Sequence, residues 1–223
     1  MPATRVGAVI WDMDGVIADT APLHFAAWQE VFGKRGRDFT PEEFRHGFGL
    51  RNDAIIARFL GDGIAPEERD AISSEKERGF RRRLGSKIKP LPGVVELMRS
   101  LAGRGFKMSL ASSAPRENIQ LLVKALGIGG FLQVVVSGDE VSQGKPSPDT
   151  FLMAAEKLGV GPEGCIVIED AVAGVEAAKR AGMKCLAVTN THPKEGLAAA
   201  DLVVDTLSGI DAITLERLIG LGG

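Results

Sequence analysis

Two cysteines, Cys165 and Cys185, are all that the 223 residues contain. Both stand beside apolar, strand-like runs, and no metal-type spacing links them. That leaves no disulfide framework and no thiolate metal site; they read as small buried residues in a reducing compartment. A strong charge of either sign is also missing. A net charge of −2 argues against a general nucleic-acid binder or a membrane-surface protein. The one basic cluster, Arg81-Arg82-Arg83, is short, lies among Lys and Glu, and reads as a solvated helix face. No apolar run approaches the roughly 18 residues of a membrane span, and the N-terminus lacks a signal-peptide pattern. No repeat or low-complexity stretch stands out. These absences lead us to expect a soluble, cytoplasmic monomer whose partner is a small molecule, not nucleic acid or membrane.

What is present is apolar sequence in an ordered arrangement. Apolar residues make up 44% of the chain, enough for one large domain or two modest ones. Val6 to Trp11 reads as a buried strand, followed by Asp12-Met13-Asp14-Gly15. From residue 17 to about 88 the pattern is helical, with no convincing strand. Helices are expected from Thr20 to about Arg35, from Thr40-Pro41-Glu42-Glu43, over Asn52–Leu60 and over Pro66–Leu84. Asp19 or Thr20 is the expected cap of the first, and Pro at the first helical position supports the second. Pro90-Leu91-Pro92-Gly93 breaks regular structure.

Beyond it, strands and helices alternate. The strands are Phe106–Ala111, Val134–Val136, Cys165–Ile168, Cys185–Val188 and Leu202–Val204. The helices are Val94–Ala102, Arg116–Leu126, Pro148–Leu158, Ala171–Ala181 and one at the C-terminus. Such alternation signifies βαβ units and a parallel sheet, and continuous apolar strands such as Ile166-Val167-Ile168 fit burial on both faces. The fold class is therefore α/β: a doubly wound, Rossmann-like, mostly parallel sheet of residues 1–16 and 89–223, with an inserted α-helical cap of residues 17–88. Ligands of such sheets sit outside the carboxyl ends of the strands.

Those strand ends carry the chemistry. The first ends at Asp12 and Asp14. Two carboxylates there are costly without a cation between them, and magnesium prefers such oxygens; an Asx-type turn is the ordinary alternative. The second strand ends at Ser112-Ser113, where a helix cap is the ordinary reading. After Val136 comes Lys145 in Gly144-Lys145-Pro146-Ser147-Pro148, where a solvated lysine is the default. Ile166–Ile168 ends at Glu169-Asp170, which could be mere dipole chemistry before a helix. Together they supply acids for a cation, a hydroxyl donor and an ammonium for an oxyanion, the equipment of phosphoryl transfer.

The set Asp12-Met13-Asp14-Gly15-Val16, Leu110-Ala111-Ser112, Gly144-Lys145-Pro146 and Ile168-Glu169-Asp170 resembles the four motifs of the haloacid dehalogenase superfamily, in the same order. The helical insertion after the first motif resembles that family's cap. Within the superfamily, Asp19-Thr20-Ala21-Pro22-Leu23-His24-Phe25-Ala26-Ala27-Trp28 and Glu169-Asp170-Ala171-Val172-Ala173-Gly174 resemble the β-phosphoglucomutase-like subfamily. The resemblance implies Asp12 as nucleophile and Asp14 as general acid/base, with a pKa tuned by its surroundings. It implies magnesium held by Asp12, the backbone carbonyl of Asp14 and Asp170, with Glu169 supporting directly or through water. Ser112 would donate to a phosphoryl oxygen, and Lys145 would balance charge on nucleophile and phosphate.

Substrate choice falls to the cap. Its candidates are His24, Trp28, Arg51, Asn52 and Lys76, joined from the core by Gly15 and Ser113. Each cap residue keeps an ordinary reading: His24 as a helix-surface histidine, Trp28 as packing, Arg51 as solvated. Gly15 also lets the chain leave the site sharply. Asp19 and Thr20 lie near the hinge on which the cap would close. Two outcomes share this chemistry. A phosphatase passes the phosphoryl group from Asp12 to water, and a mutase passes it to another sugar hydroxyl. Aligned at Gly49, the place of a mutase's distal-phosphate arginine holds Asn52, with Arg51 one residue early, a rotation of about 100° on a helix. The expectation is a magnesium-dependent hydrolase of small phosphorylated carbohydrates, with β-phosphoglucomutase as the alternative. A silent metabolite-binding protein would need a core group to be lost, and none is missing.

Overall fold

In the computed structural model, residues 7–85 and 88–221 are described. Six strands form one sheet: β1 (Ala8–Trp11), β2 (Lys107–Ala111), β3 (Val134–Val136), β4 (Cys165–Glu169), β5 (Lys184–Val188) and β6 (Leu202–Val204). Their order is β3-β2-β1-β4-β5-β6, and every neighbouring pair is parallel. The chain winds outward from β1 through β2 to β3, then returns across β1 to start the other half at β4. The winding reverses between β1 and β4, and that switch point is where such sheets open a crevice.

Both faces of the sheet are covered, which explains why its strands are apolar throughout and not alternating. Val9 and Trp11 join one core cluster while Ala8 and Ile10 join the other; Ile166 and Ile168 divide from Cys165 and Val167 in the same way. Both cysteines are free and buried, and burial pushes the Cys165 thiol up to about 12. Among the described residues five α-helices clothe the sheet: α5 (Val94–Gly103), α6 (Arg116–Leu126), α7 (Asp149–Leu158), α8 (Val172–Arg180) and α9 (Ala212–Leu218).

Between β1 and α5 lie the four helices of the cap, α1 (Ala21–Gly33), α2 (Pro41–Gly47), α3 (Asn52–Leu60) and α4 (Pro66–Arg83). They share a core of their own, in which Trp28, Phe32, Phe39, Phe44 and Ile56 are buried. Phe32 stacks on Phe39 at 4.5 Å between ring centroids, and each such aromatic pair adds about 0.5–1.5 kcal/mol to its burial. The two chain crossings lie side by side, because the Leu91 amide donates to the Ile17 carbonyl at 2.8 Å. The Arg81-Arg82-Arg83 cluster is paired: Arg82 and Arg83 meet Glu30, and Arg81 meets Glu117. Among the described residues no helix is long and apolar enough to cross a membrane.

Element bounds differ from expectation mostly by a residue or two at one end. Of the first strand, Ala8–Trp11 is observed, and Val6 lies outside the described residues. Phe106 is not in β2, because its amide turns back to the Leu101 carbonyl of α5 at 3.1 Å. Thr40 opens α2 through a full capping box with Glu43, as its sequence predicts. The expected side-chain cap of α1 is a correction. Thr20 occupies the N-cap position but caps nothing, since its hydroxyl donates instead to Asp14 Oδ1 at 2.6 Å.

Candidate active site

The parallel register sets Trp11 beside Leu110 on one side and Ile168 on the other, so the residues that follow emerge at one level. Asp12 is held there by its amide, which donates to the Ile168 carbonyl at 3.0 Å. Ser112 is held likewise by the Val136 carbonyl at 3.1 Å. Gly15 turns the chain out with φ +87, and a Cβ there would lie 1.9 Å from Asp170 Oδ2. Its missing side chain thus makes room for a core carboxylate. Gly174 does the same for Glu169, whose Oε1 would lie 1.7 Å from a Cβ.

Lys145 is the hub of the buried charges. Its ammonium donates to Asp12 Oδ1 at 2.5 Å and to Glu169 Oε1 at 2.7 Å, with its side chain 1% exposed. Burial alone would lower its pKa, but the Asp12 and Glu169 carboxylates hold it above its ordinary value. Burial pushes Asp12 up to about 7; Lys145 opposes this, and Glu169 and Asp14 reinforce it. Burial, then Glu169 and Asp12, hold Asp170 well above the usual carboxylate range. One ammonium is therefore too little positive charge for three neighbouring carboxylates.

Asp12, Glu169 and Asp170 each offer an oxygen within 4.8 Å of the others, a cluster able to hold a metal ion. Their oxygens are not equally available. Glu169 Oε2 accepts from the amides of Asp170 and Ala171, at 2.7 and 2.8 Å, while Oε1 receives Lys145. Asp170 Oδ2 accepts from the Thr191 hydroxyl, whereas Asp170 Oδ1 is buried with no partner among the described residues. An orphaned carboxylate oxygen at this depth, beside two more carboxylates, fits a hard divalent cation. Among the described residues no donor reaches the Asp14 carbonyl either. Thr191, on the loop after β5, was invisible to sequence reasoning; only the pairing of β5 with β4 brings it to Asp170.

Asp14 has a separate set of partners. Thr20 Oγ1 donates to its Oδ1, and His24 Nε2 lies 3.1 Å from the same atom. Lys76 Nζ lies 2.8 Å from His24 Nδ1. An ammonium can only donate, so His24 Nδ1 accepts, and the ring proton is on Nε2, facing Asp14. Those surroundings tune Asp14 downward. Burial acts to raise Asp14, but the contacts with His24, then Thr20 and Lys76, outweigh it and hold its pKa low. His24 is no surface residue; it is 8% exposed and stacks on Phe80 at 4.1 Å.

A cleft lies between cap and core, with Asp12, Asp14 and Ser112 on its floor and His24, Trp28, Asn52, Lys76 and Glu77 on its cap side. Ser112 Oγ stands 3.5 Å from Asp14 Oδ2 and accepts from the Ala114 amide, so it shapes the loop and caps no helix. Trp28 is 1% exposed and packs in the cap core at the cleft edge. Ser113 and Arg51 do something the sequence reading did not foresee: they dock the cap. Ser113 Oγ donates to the Gly49 carbonyl at 2.8 Å. Arg51 Nη1 donates to the Val141 carbonyl at 2.8 Å, its stem lying against Gly144, and it is absent from the lining of the main cleft. Glu77 was missed altogether.

The sequence profile of the haloacid dehalogenase-like hydrolases matches residues 9–188. The chain belongs to that family. The fructose-1-phosphate phosphatase YqaB of Escherichia coli is 34% identical over 82% of this chain and 97% of its own. The crystal structure of a β-phosphoglucomutase from Clostridium difficile superposes with a TM-score of 0.87 at 29% identity, covering 96% of this chain and 97% of that one. A chloroplastic protein of Arabidopsis thaliana, SUPPRESSOR OF QUENCHING 1, is 37% identical over 84% of this chain, which spans only 18% of that much longer relative. As a haloacid dehalogenase-like protein the chain is an enzyme, a phosphatase or a phosphomutase.

Proposed function

We propose that this enzyme is a magnesium-dependent phosphohydrolase of small phosphorylated carbohydrates, with Asp12 as nucleophile. The observation that carries the reading is the division of labour between two carboxylates two residues apart. Asp12 faces Lys145 and the acid cluster, and Asp14 faces Thr20 and His24. That is the separation a nucleophile and a proton carrier need.

In the first step the Asp12 carboxylate attacks phosphorus. A bond from Asp12 oxygen to phosphorus forms, the bond to the sugar oxygen breaks, and Asp14 gives that oxygen a proton. In the second, water attacks phosphorus, Asp14 takes the water proton, and phosphate leaves with Asp12 restored. Without substrate Asp14 is held as the base, by His24, Thr20 and Lys76. A phosphate dianion beside it opposes the Lys76 ammonium and raises the Asp14 pKa, so the substrate itself loads the acid. Lys145 neutralises charge on Asp12 and on the phosphate, and Ser112 donates to a phosphoryl oxygen. Asp12, Asp170 and the Asp14 carbonyl would hold magnesium, which would supply positive charge against the repulsion between attacking carboxylate and phosphate. Glu169, its oxygens occupied by Lys145 and two amides, steadies the loop and the ammonium. Buried, reduced cysteines fit a cytoplasmic enzyme.

Hydrolysis is favoured over mutation because Arg51 is turned onto the Val141 carbonyl and Asn52 onto Glu77, leaving neither to grip a second phosphate. Incubation with β-glucose 1-phosphate, a trace of the bisphosphate and magnesium is expected to release free phosphate. Glucose 6-phosphate without free phosphate would establish the mutase instead. Thr191→Val removes the hydroxyl that occupies Asp170 Oδ2. Magnesium affinity, measured by calorimetry, is expected to weaken by about 10–100-fold, the usual loss when a ligand's own support is removed. An unchanged isotherm would mean that Thr191 does not orient Asp170.

A further inference from the structure

Glu77 is a buried carboxylate that the chemistry above does not use. It lies on α4, and three elements converge on it. Lys76 Nζ donates to its Oε1 at 2.8 Å, and Asn52 Nδ2 of α3 donates to the same atom at 2.7 Å. Asn118 Nδ2, from α6 of the core, donates to Oε2 at 2.5 Å. Arg81 donates to Asn118 Oδ1 at 3.0 Å, which fixes that amide with its nitrogen towards Glu77. The Glu77 side chain is only 6% exposed, yet burial is outweighed by Lys76, His24 and Asn52, so its pKa is lowered and it carries its charge.

Its position gives that charge a consequence. Among the described residues Lys76 is the only lysine or arginine that the cap contributes to the cleft lining. Its ammonium is clamped between His24 Nδ1 and Glu77 Oε1, both at 2.8 Å. The carboxylate cancels the one cation that could meet an anionic group at the far end of a substrate. It also sets a negative oxygen there, which accepts from a hydroxyl and repels a phosphate.

We propose that Glu77 is a specificity-determining residue, which neutralises Lys76 and makes the cap side of the cleft a site for a neutral, hydroxylated end and not for a second phosphate. This rests on the phosphatase reading above and narrows it to monophosphates of sugars or polyols.

The test compares kcat/KM for a hexose monophosphate and the matching bisphosphate. The wild type favours the monophosphate by at least about tenfold, in line with the cost of like charges set together. Glu77→Gln keeps the shape and an oxygen for Asn118 or Lys76 but frees the ammonium. It closes that gap by about tenfold, chiefly through a lower KM for the bisphosphate. Lys76→Met strands the Glu77 charge and widens the gap. An equal ratio in wild type and Glu77→Gln, or a wild type that prefers the bisphosphate, overturns the proposal. Calorimetry in an Asp12→Asn background, with and without Glu77→Gln, reads the same two affinities without turnover. Absent hydrolysis by the wild type counts against the phosphatase reading, while the binding ratio in the Asp12→Asn background still decides the role of Glu77. Thermal melting of each variant separates loss of discrimination from loss of fold.

Discussion

Asp12→Asn is expected to lower phosphate release by at least about 10⁴-fold and to leave the fold intact. The size follows from the role, since removing a covalent nucleophile leaves only what positioning and charge balance supply. The intact fold follows from the surroundings. Asp12 is 6% exposed, and burial has already pushed its pKa up to about 7, so an uncharged isostere costs the interior little. An amide oxygen still accepts from Lys145, which keeps Glu169 at 2.7 Å. It also relieves the repulsion of Glu169 and Asp14, so the melting temperature without magnesium should hold or rise. Rapid-quench assay of released phosphate, with a melting curve beside it, reads both. More than about 1% residual activity in a well-folded variant would remove Asp12 from the role of nucleophile.

That single residue was legible because the signal for it is local. A buried apolar strand, two acids and a glycine lie within ten residues, and the physical anomaly of charge at the end of a core strand needs no tertiary knowledge. The same holds for Ser112, Lys145 and Glu169-Asp170, each at a strand end in a sheet whose βαβ winding the alternation of elements implies. Helices α3 and α6 begin and end where periodicity puts them. What stayed hidden depends on which surfaces meet. Glu77 and Asn118 are 41 residues apart, on helices of cap and core, and each by itself reads as a polar residue on an amphipathic helix. Thr191 gains meaning only once β5 pairs with β4. Arg51 looked like a ligand arginine because a helix start often meets an anion. Nothing in its neighbours' chemistry reveals that the Val141 carbonyl comes within 2.8 Å when the cap docks. Thr20 is the converse case. Its sequence setting is that of an ordinary cap, and a carboxylate six residues earlier takes its hydroxyl.

Asp14→Asn separates the two chemical steps. With a sugar phosphate, whose alkoxide leaving group needs a proton, kcat is expected to fall by about 10²–10⁴-fold, the usual contribution of a positioned acid/base. The local geometry survives the change, because the amide oxygen still accepts from Thr20 Oγ1 and from the Nε2–H of His24, at the places now 2.6 and 3.1 Å from Asp14 Oδ1. With an aryl phosphate the leaving group departs without a proton, so attack by Asp12 proceeds. Water then lacks its base, and the phosphoryl group stays on Asp12. The expected record is a burst of about one equivalent of phenol per enzyme, a slow steady state, and one acid-stable, hydroxylamine-sensitive phosphate on the protein. Equal loss of rate with both substrates and no covalent phosphate would take Asp14 out of proton transfer. A full burst followed by wild-type turnover would show that water finds its base elsewhere. The His24–Lys76 pair, at 2.8 Å, is where that base would then have to be sought, since among the described residues no other titratable side chain shares the Asp14 oxygen with Thr20.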